Sequence, residues 1–445
     1  MHKTIDAKAH ITCRMNRLLI RNCRIFDGHT ILNNGRVLDI AIADGRIMEI
    51  GEIPVMEGAT LIEAENRTAI PGLIDAHFHA CSPTLSVSAA DAMPESLMAH
   101  HAGKILEGAL LRGFTSVRDM GGADLGLYQA VEQGLIRGPR LFFCGKAFSQ
   151  TGGHGDLRQT GRDPIHAQGC ACAYHGSLTR VIDGADPLRA EARETLRQGA
   201  HHIKLMLSGG VLSPTDPLWM PQYSDQEILA VVEEARSRRR YVAAHAHTAE
   251  AAMRCAALGI RSVEHGTLIN EQAATSLASA GCFVVPTLAI MDALLDDANR
   301  SLLSSEALDK VSSLMEAALE AIDHCKRAGV RIAFGTDLLG DLHDRQNREF
   351  LLRSPVQSSI EILRSATSVN AQLLNRGGEI GVIASDALAD ILLIDSCPQR
   401  VPEALGNSQN AIALIVSRGR IISSRLPEGN ISYGYNLNNQ TNAGW

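Results

Sequence analysis

No run of eighteen uncharged apolar residues occurs in the 445-residue chain, so a membrane-spanning helix is not expected. Nor does the N-terminus, MHKTIDAKAHITCRMNRLLI, carry an apolar run of signal-peptide length, which disfavours secretion. Basic blocks are missing too. Lys+Arg 42 against Asp+Glu 49 gives a formal charge of -7, and the phosphate-neutralising face that nucleic-acid binding needs is not in evidence. A disulfide framework is also lacking: the cysteines (Cys13, Cys23, Cys81, Cys144, Cys170, Cys172, Cys255, Cys282, Cys325, Cys397) are scattered, which fits reduced thiols in a cytoplasm. What is present is 45% hydrophobic and 20% charged residues, the balance of a globular protein with a substantial core, so fibrous and disordered readings fall away.

Both ends of the chain share one pattern, short alternating apolar strands joined by tight turns: RLLIRNCRIFDG and DIAIADGRIMEIG early, ADILLIDS and IALIVSRGRII late. Asp44-Gly45 and Arg418-Gly419 sit where two-residue hairpins need positive φ. Neither end has enough strands to close a core, so residues 17–70 and 376–430 are expected to pair into one small, discontinuous β-sandwich. Residues 1–16 and 431–445 are expected as flexible tails, with Met15 an alternative start to Met1. Between the ends, residues 71–375 alternate strands with helices, and eight strands are counted: AIPGLIDAHFH, FTSVRDMG, RLFFCGKAF, HIKLMLSGG, RYVAAHAH, RSVEHGT, CFVVPTL and RIAFGTD. The fold class is therefore α/β, a (β/α)8 TIM barrel. Helical periodicity in SDQEILAVVEEARSRR and AEAAMRCAALG agrees, with Ser224 and Asp225 as N-cap candidates.

Active sites of such barrels are built at the C-terminal ends of the strands. There His77 and His79 end the first strand two positions apart, so both rings share a face and can chelate; two histidines satisfied by local hydrogen bonds are the competing reading. Lys204 on the fourth strand, His245 on the fifth, His265 on the sixth and Asp337 on the eighth occupy the same level. Barrel stability does not call for such convergence, whereas zinc or a similar divalent ion calls for neutral imidazoles and a carboxylate. A lysine buried among cations has a depressed pKa, and its neutral amine can add CO2 to become a carbamate, an anionic ligand able to bridge two ions. Hydrolysis is the reaction such a site suits. His201 and His202, at the start of their strand, read as structural. Arg118 and Asp119 could line the pocket, but a hydrogen bond from Asp119 into the Gly121-Gly122 turn is the default. His247 shares a face with His245, and spacing does not decide which is the ligand. Arg158, four residues after His154, could fork a substrate carboxylate or be a solvated surface residue.

PGLIDAHFH, HIKLMLSGG, AHAH, EHGT and FGTD resemble, in order, the signature segments of the amidohydrolase superfamily. SQTGGHGD, VIDGADPLRAEARETLRQGAHHIKLMLSGGV and QYSDQE are similar to the subgroup of imidazolonepropionase-like enzymes and metal-dependent Xaa-Pro dipeptidases (prolidases). The resemblance implies that His77 and His79 bind the more buried of two metals and that His245, favoured over His247, and His265 bind the more exposed one. It further implies that Lys204 bridges as a carbamate and that Asp337 both binds metal and shuttles a proton. It also implies that His154 polarises the scissile carbonyl and that Tyr223 contacts the substrate carboxylate; His247, behind the ligands or beside the substrate, is a further candidate on its position alone. Two divalent ions, zinc foremost, are the expected cofactors, and relatives of this kind often form homo-oligomers. The expected activity is hydrolysis of an amide bond in an Xaa-Pro-like dipeptide or N-acyl amino acid by metal-bound hydroxide. Cyclic amides, imidazolones or ureas are the alternative substrates, and a metal-binding scaffold is the non-enzymatic alternative.

Overall fold

The computed structural model describes residues 17–432 apart from 55, 159–175, 212–215, 301–304 and 408. Residues 1–16 and 433–445, with the alternative start at Met15, lie outside the described residues. Of the expected C-terminal tail, Ile431–Ser432 form a short strand that pairs antiparallel with Thr60–Glu63, so the terminal sheet runs two residues further than expected. Cys23, Cys81, Cys144, Cys255, Cys282, Cys325 and Cys397 are free thiols, and among the described residues no helix is long and apolar enough to cross a membrane.

Both chain ends build one nine-stranded sheet. Arg17–Ile25 pairs antiparallel with Leu38–Ala43 and parallel with Thr60–Glu63 and Thr68–Pro71; Thr68–Pro71 then pairs antiparallel with Ile391–Ile394, which joins the C-terminal strands Ile412–Ser417 and Arg420–Ser424. Alternation along these strands buries Ile20, Ile40, Ile42, Ile62, Ile391 and Leu393 in one cluster. Asp44-Gly45 and Arg418-Gly419 all have positive φ, as two-residue hairpins require.

All eight barrel segments are strands in parallel order. Leu73–Phe78 pairs with Phe114–Asp119, and that with Arg140–Phe142. The third strand breaks and resumes as Ala147–Ser149, which leads to His202–Met206, Tyr241–Thr248, Ser262–Leu268, Phe283–Val285 and Arg331–Ile332. The barrel closes where Ala76 N–H donates to Phe334 O at 2.8 Å and Asp337 N–H to His77 O at 2.8 Å. A strand the sequence reading did not anticipate, Thr179–Val181, lies parallel to Ala147–Ser149. Outer helices bury one face each: Asp225–Ser237 opens with a Ser224/Glu227 capping box and turns Ile228, Val231, Val232 and Ala235 inward at helical spacing.

Candidate metal centre and active site

The end of the first strand is tied to the end of the eighth by one buried carboxylate. Asp75 accepts from His77 N–H (3.0 Å), Thr336 N–H (3.2 Å), Thr336 Oγ1 (2.6 Å) and Gln346 Nε2 (2.9 Å). That stitch fixes the register of His77 against Asp337, the residue after Thr336. His77 Nε2 then lies 3.3 Å and His79 Nε2 3.1 Å from Asp337 Oδ1. The three side chains each offer a ligand atom, all within 4.8 Å of one another, and could hold a metal ion. Asp337 and His265 both adopt positive φ, 58° and 69°, which costs energy in a non-glycine residue and aims both side chains into the barrel mouth.

A second group of imidazoles surrounds the same opening. His265 Nδ1 lies 2.8 Å from Thr287 Oγ1 and 3.9 Å from Asp337 Oδ2. The His245 ring centre is 4.6 Å from that of His265, 4.7 Å from that of His247 and 4.1 Å from that of His154. Nε2 of His245 faces Gly209 O at 3.2 Å, and Nδ1 of His247 faces Thr267 Oγ1 at 2.8 Å. His154 Nδ1 is 3.4 Å from the buried Asp216 carboxylate. Lys204 is 2% exposed, so its side chain is buried within the barrel.

Electrostatics favour metal-ready protonation states. Burial, reinforced by neighbouring imidazoles, holds His245 and His265 far below the ordinary histidine value and His247 down at about 3, so these rings are neutral and able to coordinate. Burial also lowers Lys204, against the pull of Glu264 and Asp337. Burial raises Asp337, but His77, His79 and His265 override it and hold the carboxyl well below its usual range. His79 moves the other way, since Asp337 outweighs its burial and raises it. The donor set, imidazoles plus carboxylate at the mouth of a barrel, fits a divalent ion such as zinc.

The sequence matches the amidohydrolase family over residues 68–423. The chain belongs to that family. A crystallised amidohydrolase is 39% identical, covering 93% of this chain and 100% of that one with a TM-score of 0.86. A prolidase solved with N-methylphosphonate-L-proline is likewise 39% identical, covering 92% and 100% with a TM-score of 0.87. The ochratoxinase of Aspergillus niger is 32% identical over 270 residues, 60% of this chain; the match spans only 56% of that relative's length.

Other residues singled out in this amidohydrolase sequence fall into place differently. His154 lines the cavity with His245, His247, His265 and Asp337. Tyr223 and Arg158, expected as carboxylate contacts, are not among the described residues lining that cavity and already have partners within the protein. Tyr223, at a positive φ of 54°, turns its ring into the core and donates its hydroxyl to Ile182 O at 3.1 Å. The Arg158 guanidinium closes as a fork on Asp156, at 2.7 and 2.5 Å. Asp119 accepts from Ala80, Gly121 and Ala123 N–H, the turn-holding role expected of it. Arg118 is fully buried and does not line the pocket; it donates to Ala76 O, Ser262 Oγ and Glu264. His201 sits among Tyr128, Phe142 and Phe143 and accepts from Phe143 N–H, while His202 stacks on Tyr241. Sequence reasoning missed Asp75, Glu264 and Asp216. The first two lie inside the quoted segments PGLIDAHFH and EHGT and were available as acidic residues beside ligand histidines; Asp216 carried no signal.

Proposed function

We propose that this protein is a metal-dependent amide hydrolase acting on an Xaa-Pro-like dipeptide or an N-acyl amino acid. The observation that carries the reading is the convergence of His77, His79 and Asp337 from opposite ends of the barrel sequence within ligand reach of one another. Full-length similarity to a solved prolidase supports the substrate class. In this reading His77 and His79 would hold one divalent ion and His245 and His265 a second, with Asp337 as a further ligand. The neutral Lys204 amine, once it has added CO2 and lost a proton, would supply an anionic carbamate as a further ligand. Divalent ions held there, zinc foremost, would ease deprotonation of water and polarise a carbonyl.

The chain's own residues do the rest. Asp337, ionised by its histidine neighbours, accepts the proton of the attacking water on a carboxylate oxygen and later delivers it to the departing nitrogen. His154, steadied by Asp216, donates to the carbonyl oxygen as charge develops there. Metal analysis combined with a screen of zinc-supplemented protein against dipeptides and N-acyl amino acids tests the proposal. The expected result is close to two ions per chain and chelator-sensitive cleavage of at least one amide class; metal-free protein after zinc supply rejects it.

A further inference from the structure

The cavity that holds the histidines and Asp337 has a second wall of different chemistry. Thr287, whose hydroxyl meets His265, is followed at once by the helix Leu288–Leu295. That helix presents Ile290, Met291 and Leu294 to the cavity, with Val311 from the helix Ser305–Ala328 and Val211 after the fourth strand beside them. The polar groups on this side are already engaged: Thr267 Oγ1 by His247 and Thr287 Oγ1 by His265. Among the described residues lining the cavity there is no lysine or arginine, and Asp337 is the only carboxylate. Tyr223 donates its hydroxyl to Ile182 O and Arg158 its guanidinium to Asp156, and neither is among the described residues lining this cavity.

A charged substituent pressed against Ile290, Met291 and Leu294 would lose its hydration and gain no partner, whereas an apolar one would exchange water for methyl and thioether contacts. We infer that one flank of the scissile amide is a large uncharged apolar group, aliphatic or aromatic, seated against Ile290, Met291 and Leu294. This deepens the amide-hydrolase reading and rests on it for the bond that is cleaved. Met291 is the adaptable member, since an unbranched thioether fits ligands of several shapes.

The test uses two matched series with the zinc-supplemented full chain: N-acyl prolines bearing acetyl, hexanoyl, hydrocinnamoyl or succinyl groups, and N-acetyl amino acids bearing Gly, Leu, Phe, Asp or Lys side chains. In one series kcat/KM should rise at least about 10-fold from the smallest to the large apolar member, and fall at least about 100-fold from there to the charged members, the range that pocket contacts and unpaired polar groups command. Met291→Lys should narrow the gap between succinyl and hydrocinnamoyl, or between Asp and Phe, at least about 10-fold by giving the acid a partner. Charged and apolar members cleaved within about threefold of each other in both series would overturn the inference. Should no amide of either series be cleaved, the amide reading fails by itself, and calorimetric binding then decides the wall separately. Hydrocinnamoyl hydroxamate should bind at least about 30-fold tighter than succinyl hydroxamate, as burial of a phenyl-sized group implies, and equal affinities would overturn the apolar subsite.

Discussion

Glu264 Oε2 lies 2.9 Å from His77 Nδ1, and Arg118 Nη2 reaches the same carboxylate from behind at 2.8 and 2.9 Å. Burial alone would raise Glu264, but Arg118 first and His77 second hold it far below the ordinary carboxyl value, so it is an ionised acceptor. An ionised acceptor at Nδ1 makes His77 carry its proton there and leaves the Nε2 lone pair facing Asp337. Ser262 Oγ donates to the other oxygen at 2.6 Å and Arg118 Nε to Ala76 O at 2.6 Å, so the pair is anchored to the first strand and to Glu264's own strand.

Replacing Glu264 with Gln keeps the shape and removes the charge. Loss of such a partner typically weakens metal binding about 10- to 100-fold, so Glu264→Gln should weaken zinc affinity by that amount in a competition titration. Glu264→Ala should also cost about 3–5 kcal/mol of stability in urea unfolding, since it strands the Arg118 cation in the interior. Unchanged zinc affinity in Glu264→Gln would show that His77 needs no such orienting partner.

Lys204 gives a test specific to the carbamate. Lys204→Ala should lose activity and part of its metal, and regain some of each when short-chain carboxylic acids are added to occupy the bridging position. Lys204→Arg, whose guanidinium stays protonated, should show no recovery. Full activity in Lys204→Arg would exclude the bridge.

Much of the site was legible because parallel barrels place function at strand ends, so a polar residue there stands out against an apolar strand. His77, His79, His245, His265 and Asp337 all emerged from that position rule together with period-two alternation. The terminal sheet was legible for a similar reason, as neither half could close a core alone. What lay hidden depended on contacts made across the chain. Arg118 meets Glu264 over 146 residues, and nothing local in FTSVRD marks the arginine as the partner of an acid on the sixth strand. The direction of the Tyr223 side chain was likewise hidden, because it follows from a left-handed backbone turn that QYS does not announce.

Glu349 predicts how stability follows pH. Its Oε2 accepts from Ala289 N–H at 2.7 Å in the first turn of the helix that forms the apolar wall, while Oε1 has no hydrogen-bond partner among the described residues. Burial raises its pKa from 4.5 to about 8. A carboxyl that holds its proton more tightly when folded contributes fully below the unfolded value and loses that contribution as pH climbs towards the folded one. Relative to Glu349→Gln, the wild type should therefore lose up to about 1.4 kcal/mol per pH unit between pH 5 and 8. Urea unfolding of both proteins at pH 5, 6.5 and 8 measures the difference, and a constant offset would mean that Glu349 stays ionised.

Proton transfer and carbonyl polarisation can be separated because Asp337 and His154 approach the cavity from different elements. Asp337 is both a ligand candidate and the proposed proton carrier, so Asp337→Asn should lower kcat by about 10²- to 10⁴-fold even in protein that retains one ion. His154 is not one of the three clustered residues His77, His79 and Asp337; its ring stacks on His245 and its Nδ1 faces Asp216. His154→Ala should accordingly keep its metal content yet lose about 10²- to 10³-fold in kcat, the size of one missing donor to a developing oxyanion. Asp216 also accepts from Gly210 N–H and Gln222 Nε2, but it meets the cavity through the His154 ring, so the kcat loss in Asp216→Asn should be smaller and, in a double variant with His154→Ala, should add almost nothing. Additive losses in the double variant would mean that Asp216 acts elsewhere. Wild-type kcat in His154→Ala would leave polarisation of the carbonyl to the ions held by the other histidines.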